Sequence, residues 1–172
     1  MLTFWLFAGL LLVVALQRLC ELRLSSSNER YLRSRGGREH AARHFKVMAA
    51  LHGAWLVAML AEVWLLDRRP EPWLLLTCAA LFVAGQVLRY AAIYTLGPRW
   101  SVRIYTLPGE ALVSSGIYRY LRHPNYVGVV LEIAALPLLH SAWLTAVLFS
   151  TANALLLRVR VTEEERALSG SS

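Results

Sequence analysis

The densest run of side chains able to do chemistry is Gly116-Ile117-Tyr118-Arg119-Tyr120-Leu121-Arg122-His123-Pro124-Asn125-Tyr126, set directly before an apolar stretch. Pro124 suits the first turn of a helix, because the N–H it lacks is one that a helix leaves unsatisfied there. Tyr126 and the remaining free N–H groups of that turn then face the membrane boundary. Tyr and Arg alone would make an aromatic and basic anchor. His123 and Asn125 beside a proline-fixed corner exceed what an anchor needs, and ordered polar loops are where binding and catalytic groups collect.

Further along, Glu132 continues a helical face that starts with Asn125 and Gly128, at spacings of three and four. A carboxylate at that depth is costly unless it meets a partner. Arg89, one turn beyond Gln86 in the preceding apolar run, is the candidate, and the pair reads equally as a functional group or a structural lock. Asn153, Arg160 and Glu164 share one stripe at spacings of seven and four, with Glu165 next, though a salt-bridged helix end would carry the same letters. His40, His44 and His52 raise the question of a metal, since an i,i+4 His pair can bind zinc. No HExxH arrangement is present, and His52 lies about 80° round a helix from His44, so no metal site is expected. The sequence also lacks a GxGxxG fingerprint, a Walker loop and a GxSxG elbow.

These groups must be positioned by membrane helices. A chain of 172 residues that is 57% hydrophobic and 17% charged, with mean hydropathy +0.46, is suited to a bilayer rather than to water. One domain is expected over residues 1–168, and residues 169–172, Ser-Gly-Ser-Ser, read as an appended linker. The apolar runs are Thr3 to Leu16, Val47 to Leu66, Trp73 to Leu96, and two shorter ones, Tyr126 to Leu139 and Ala142 to Leu157. They predict an all-α polytopic membrane protein of about five transmembrane helices, the last two a short helical hairpin. Between the first two runs, Glu21 to Lys46 is polar, with Ser25 to Asn28 expected as turn or cap and Gly36-Gly37 as a break.

Charge sets the orientation. Of eighteen Lys and Arg, all but Arg68 and Arg69 fall at one end of this up-and-down path, which puts the N-terminus outside and the C-terminus in the cytoplasm. The net charge of +7 is therefore a loop bias, and no nucleic-acid partner is expected. Cys20 and Cys78 lie at different depths and read as packing residues.

Taken together, Gly116-x-Tyr118, Arg122-His123-Pro124-x-Tyr126 and Arg160-x-x-x-Glu164-Glu165-x-x-Leu168 resemble the isoprenylcysteine carboxyl methyltransferase family. The stretch with Arg18-x-x-Glu21, Ser25, Asn28, Gly36-Gly37-x-Glu39, His44, Met48 and His52 looks like its bacterial branch, whose members O-methylate alkylpyrones or alkylresorcinols made by type III polyketide synthases. Family members usually continue past the Leu168 position with a Tyr-containing segment. The resemblance implies S-adenosylmethionine as cofactor, bound by His123, Pro124 and Tyr126, with Gly116, Tyr118, Arg122 and Glu165 around them. It implies Arg160 and Glu164 beside the reacting centre; Arg89, Glu132 and Asn153, singled out by their positions on the apolar helices, are the candidates for substrate binding.

Methyl transfer from a sulfonium is an in-line displacement that needs alignment and water exclusion. An acceptor carboxylate or acidic enol is already anionic near neutral pH. A phenolic acceptor, with a pKa of about 10, would need Glu164 or His123 as base. The expected acceptor is a lipophilic small molecule reaching the site from the bilayer, with membrane lipids as surroundings, an inner-membrane location, a cytoplasmic active site and an open oligomeric state. Carboxyl methylation of a prenylcysteine-like substrate, an NADPH-dependent reductase sharing the His-Pro-Asn-Tyr corner of sterol reductases, and a non-enzymatic transporter or scaffold remain as alternatives.

Overall fold

Five helices run up and down in sequence order in the computed structural model, which describes residues 1–169 apart from the side chains of residues 43, 168 and 169. They are α1 (Leu2–Ser34), α2 (Ala42–Leu65), α3 (Pro72–Leu96), α4 (Pro124–Leu138) and α5 (Trp143–Ser169). Strands β1 (Arg38–His40) and β2 (Ile104–Thr106) and two 3-10 turns, Gly97–Arg99 and Gly116–Arg119, fill the connections. Four helices are long and apolar enough to cross a membrane, while α4 has fifteen residues and spans only about 22 Å. The all-α polytopic architecture and the closing hairpin are as expected. Of the linker expected over 169–172, Ser169 closes α5 and the rest lies outside the described residues.

Two boundaries differ from the sequence reading. Helix α1 does not turn at Ser25 to Asn28 but continues for 33 residues to Ser34, and breaks only at Gly36, whose φ is +78°. It continues because its polar residues find partners on one face: Glu21 on α3, and Ser25 and Asn28 on the loop after α3. Helix α5 likewise outruns its apolar stretch, carrying Arg160, Glu164 and Glu165 beyond Leu157 on an unbroken helix. The three-residue strands pair antiparallel, Glu39 opposite Tyr105. They are too short for any periodicity to announce them.

Packing is tightest between α3 and α4. A Cβ on Gly85 would come within 3.0 Å of the Gly128 carbonyl oxygen, and one on Gly128 within 2.8 Å of the Gly85 carbonyl oxygen, so the two backbones touch. The apolar core lies toward the N-terminal end of α1, where Phe7, Leu11 and Val14 meet Trp55, Met59 and Val63 of α2 and Ile133 and Leu136 of α4. Cys78 joins this core, whereas Cys20 is exposed. At that same end Glu62 of α2 accepts the Leu144 and Thr145 backbone N–H groups at 3.1 and 2.7 Å. A carboxylate from another helix thereby satisfies the free donors at the start of α5. The opposite end, where α1, α3 and α5 finish and α4 begins, holds the polar connections and nearly all the Arg residues.

Candidate functional site

Pro124 sits at the first position of α4 and is almost fully buried, so the chain enters that helix at a fixed angle. His123, the residue before it, stands outside the helix with φ −131° and ψ 61°. Its ring stacks on Tyr126, with centroids 5.3 Å apart and planes 11° from parallel. Asn125 points from the same turn.

Helix α5 brings its charged stripe to this corner. The Tyr126 hydroxyl donates to Glu164 and accepts from Arg160 Nε at 2.9 Å. The Arg160 guanidinium carbon lies 5.5 Å from the Tyr126 ring centre, and Nη2 donates to the Val102 carbonyl. Arg160 is only 7% exposed. A buried guanidinium so fixed is an anion holder that needs no reorganisation. Glu164 lies 3.9 Å from His123 Nδ1, and Glu165 lies 3.3 Å from Arg122 at the rim.

These residues face a cavity of about 660 Å³, within the range of small-molecule sites. Tyr118, Arg122, His123, Asn125, Tyr126, Arg160 and Glu164 line it, and Trp100, Ile104, Leu107 and Leu112 add an apolar side. Burial, and then the Glu164 charge, push the Tyr118 phenol up to about 12, so it stays a neutral donor. His123 Nε2 and Asn125 Oδ1 are buried without hydrogen-bond partners among the described residues. Orphaned polar atoms on a cavity wall are a place for a polar ligand.

Gly116, Pro124 and Glu165 are absent from the lining; Glu165 instead pairs with Arg122 at the rim, and the other two act on the cavity's shape. Gly116 holds φ +55°, and a Cβ there would come within 2.6 Å of Thr95 Oγ1. The loop from Leu107 to Val113 closes the far side of the cavity, held through Glu110 by Arg99 and by Arg35 at 3.2 Å.

Arg89, Glu132 and Asn153 are not part of this lining. The expected approach of Arg89 to Glu132 is present at 3.5 Å, but inside a larger cluster. Both Glu132 oxygens accept from Arg18 at 2.8 Å, and Glu21 accepts from Arg18 at 2.6 Å and from Arg89. Two cations and two anions from α1, α3 and α4 thus neutralise one another. Asn153 is 1% exposed, and its Oδ1 is unpartnered among the described residues. Sequence reasoning did not bring Arg18 and Glu21 to Glu132, although their three-residue spacing on an apolar helix was a signal. It could not reach the Val102 carbonyl, which has no side-chain letter.

Among the described residues no group of three or more His, Cys, Asp or Glu is placed to hold a metal. His40 is bonded to Thr106 at 2.9 Å and His52 to the Met48 carbonyl at 2.8 Å.

Residues 76–170, which include every residue of the cavity's polar wall, match the profile of the isoprenylcysteine carboxyl methyltransferase family. The uncharacterized protein YpbQ of Bacillus subtilis is 38% identical over 165 residues, 96% of each chain. An uncharacterized protein of Haemophilus influenzae is 30% identical over 153 residues, 88% of each. The protein-S-isoprenylcysteine O-methyltransferase of Homo sapiens is 34% identical over 83 residues, 47% of this chain and 29% of that enzyme.

Proposed function

The chain belongs to the isoprenylcysteine carboxyl methyltransferase family, and on that premise we propose that it methylates an oxygen of a lipophilic acceptor in the cavity around Tyr126. Members of the family are S-adenosylmethionine-dependent membrane methyltransferases, and this chain is one of them. That membership selects methyl transfer over the reductase and transporter alternatives. The single observation supporting the assignment of the site is the Arg160–Tyr126–Glu164 constellation around a buried guanidinium, with His123 Nε2 and Asn125 Oδ1 on the same wall and without hydrogen-bond partners among the described residues.

The residues suit the cofactor chemically. Glu164 matches its positive groups, Arg122 its carboxylate, and the parallel His123 and Tyr126 rings offer a flat face. When bound, S-adenosylmethionine supplies an electrophilic methyl on a sulfonium. Arg160 holds the acceptor oxygen in line while Tyr126 and Val102 keep the guanidinium from turning away. This methyl would pass from the bound cofactor to the oxygen held by Arg160, the carbon–sulfur bond breaking as the carbon–oxygen bond formed, and S-adenosylhomocysteine would leave.

A prenylcysteine-like carboxylate is the acceptor class we favour, because the relatives with named activities are protein-S-isoprenylcysteine O-methyltransferases. A carboxylate needs no base, so Arg160 suffices. An alkylpyrone enol would use the same contact, and an alkylresorcinol phenol would first lose its proton to Glu164 or His123. The acceptor tail enters from the bilayer along the apolar side, and the cofactor enters from the cytoplasm, the side that the positive-inside bias favours for the Arg-rich loops.

The test is transfer of labelled methyl from S-adenosylmethionine to N-acetyl-S-farnesylcysteine, an alkylpyrone or an alkylresorcinol in nanodiscs. The farnesylcysteine derivative is expected to be methylated, with activity lost in Arg160→Ala. Exclusive methylation of a polyketide would move the acceptor class, and an active Arg160→Ala protein would end the proposed role of Arg160.

A further inference from the structure

The guanidinium of Arg160 is held by a main-chain carbonyl, so whatever fixes Val102 also fixes Arg160. Val102 lies in the loop between α3 and β2, and its N–H donates at 3.0 Å to the hydroxyl of Ser25 on α1. That hydroxyl donates its own proton to Glu29 at 2.9 Å, so it faces Val102 with a lone pair. Ser25 is 1% exposed, and the Ser101 hydroxyl lies 3.2 Å from its own. One turn along the same face, Asn28 donates to the carbonyls of Gly97 and Trp100 at 3.2 and 2.8 Å. Glu29 in turn meets Arg103 at 3.4 Å. The polar C-terminal part of α1 therefore grips the short loop on both sides of the carbonyl that holds Arg160.

Resting on the role of Arg160 proposed above, we infer that Ser25 and Asn28 are positioning residues for methyl transfer: they set the Val102 carbonyl that aims the Arg160 guanidinium at the acceptor oxygen. Neither residue lines the cavity. Their effect falls on alignment and not on cofactor affinity, because the polar wall formed by His123, Asn125 and Tyr126 is built from the start of α4 and the residue before it, which neither Ser25 nor Asn28 touches. Alanine at 25 can neither donate to Glu29 nor accept from Val102, whereas threonine can do both.

Three measurements on the full chain in nanodiscs decide the matter: methylation of N-acetyl-S-farnesylcysteine, calorimetric binding of S-adenosylhomocysteine, and the rate at which phenylglyoxal modifies Arg160, mapped by peptide mass. Ser25→Ala is expected to lower kcat by about tenfold or more while S-adenosylhomocysteine binding changes by less than about twofold. Phenylglyoxal should then reach Arg160 several times faster. Ser25→Thr should restore both, and Asn28→Ala should show the same split.

If Arg160 stays protected and turnover is unchanged in both alanine variants, the inference is overturned. Loss of S-adenosylhomocysteine binding in both would also overturn it, since the residues would then be needed to build the cofactor wall. The phenylglyoxal readout does not depend on the acceptor. An Arg160→Ala protein with full activity defeats the functional reading of Arg160, while unprotected Arg160 in the Ser25→Ala protein still reports the link through Val102.

Discussion

Arg160 Nε donates to the Tyr126 hydroxyl at 2.9 Å, and this one contact joins the helix that opens the polar corner to the helix that carries its charges. The same hydroxyl donates to Glu164, so Tyr126 holds a cation and an anion apart across a single oxygen. Removing that oxygen leaves a buried guanidinium short of one partner. Tyr126→Phe is therefore expected to lower methyl-transfer kcat by about tenfold to a hundredfold, the equivalent of one charged hydrogen bond. S-adenosylhomocysteine binding should weaken less, because the ring still stacks on His123. Wild-type turnover in the phenylalanine variant would show that the bridge is not used.

The four-charge cluster between α1, α3 and α4 makes a stability prediction. Glu132→Leu leaves Glu21 to balance both the partly buried Arg18 and the buried Arg89, so one positive charge is uncompensated, and it is expected to cost about 3–5 kcal/mol. Adding Arg18→Met leaves the balanced Glu21–Arg89 pair and should recover part of the loss. Thermal unfolding in detergent reads both. Equal melting temperatures for wild type and Glu132→Leu would mean that the cluster contributes nothing.

The two-stranded sheet should loosen in acid. Burial alone would raise the Glu39 pKa, but the Arg103 guanidinium donating at 2.5 Å, with Tyr105 and Arg33, holds it below the usual carboxylate range. A depressed carboxylate stabilises the folded state above its unfolded value of about 4.5, and that contribution disappears as pH falls through the folded value. Hydrogen exchange at residues 38–40 and 104–106, corrected for its intrinsic pH dependence, should therefore accelerate below pH of about 4.5. In Glu39→Gln this acid step should vanish. A step that persists there would assign it to another group.

Gly116 permits the turn that presents Tyr118. Alanine at φ +55° costs about 1–2 kcal/mol, and its Cβ would meet Thr95 Oγ1 at 2.6 Å. Gly116→Ala is expected to weaken S-adenosylhomocysteine binding by roughly tenfold. Shortening the neighbour with Thr95→Ala should recover only part of this, because the backbone strain remains. Full recovery would place the whole effect in the collision.

Much of the polar corner was legible. His123, Asn125 and Tyr126 stand within four residues of one another, and a proline at the head of an apolar run dictates how they are presented. The stripe of Arg160 and Glu164 was equally visible from its i,i+4 spacing, which holds on any helix. Their meeting with Tyr126 was not, because it depends on how α4 packs against α5 across a separation of 34 residues. The polar half of α1 misled for a related reason. Ser25 and Asn28 are typical cap residues where nothing else satisfies them, and here the loop at residues 97–102 does.

The amino-acid sequence alone determined the number of apolar helices, their up-and-down order, the end at which the Arg residues collect, and the motif that marks the family. Those properties follow from local composition and spacing, which are complete within a window of about twenty residues. Tertiary structure alone decided that Arg18 and Glu21 would share the Arg89–Glu132 pair, that α1 would stay helical past its apolar run, and that a backbone carbonyl would hold Arg160. A buried charge or main-chain acceptor is satisfied by whatever the fold brings within hydrogen-bond reach, and no residue letter records that distance.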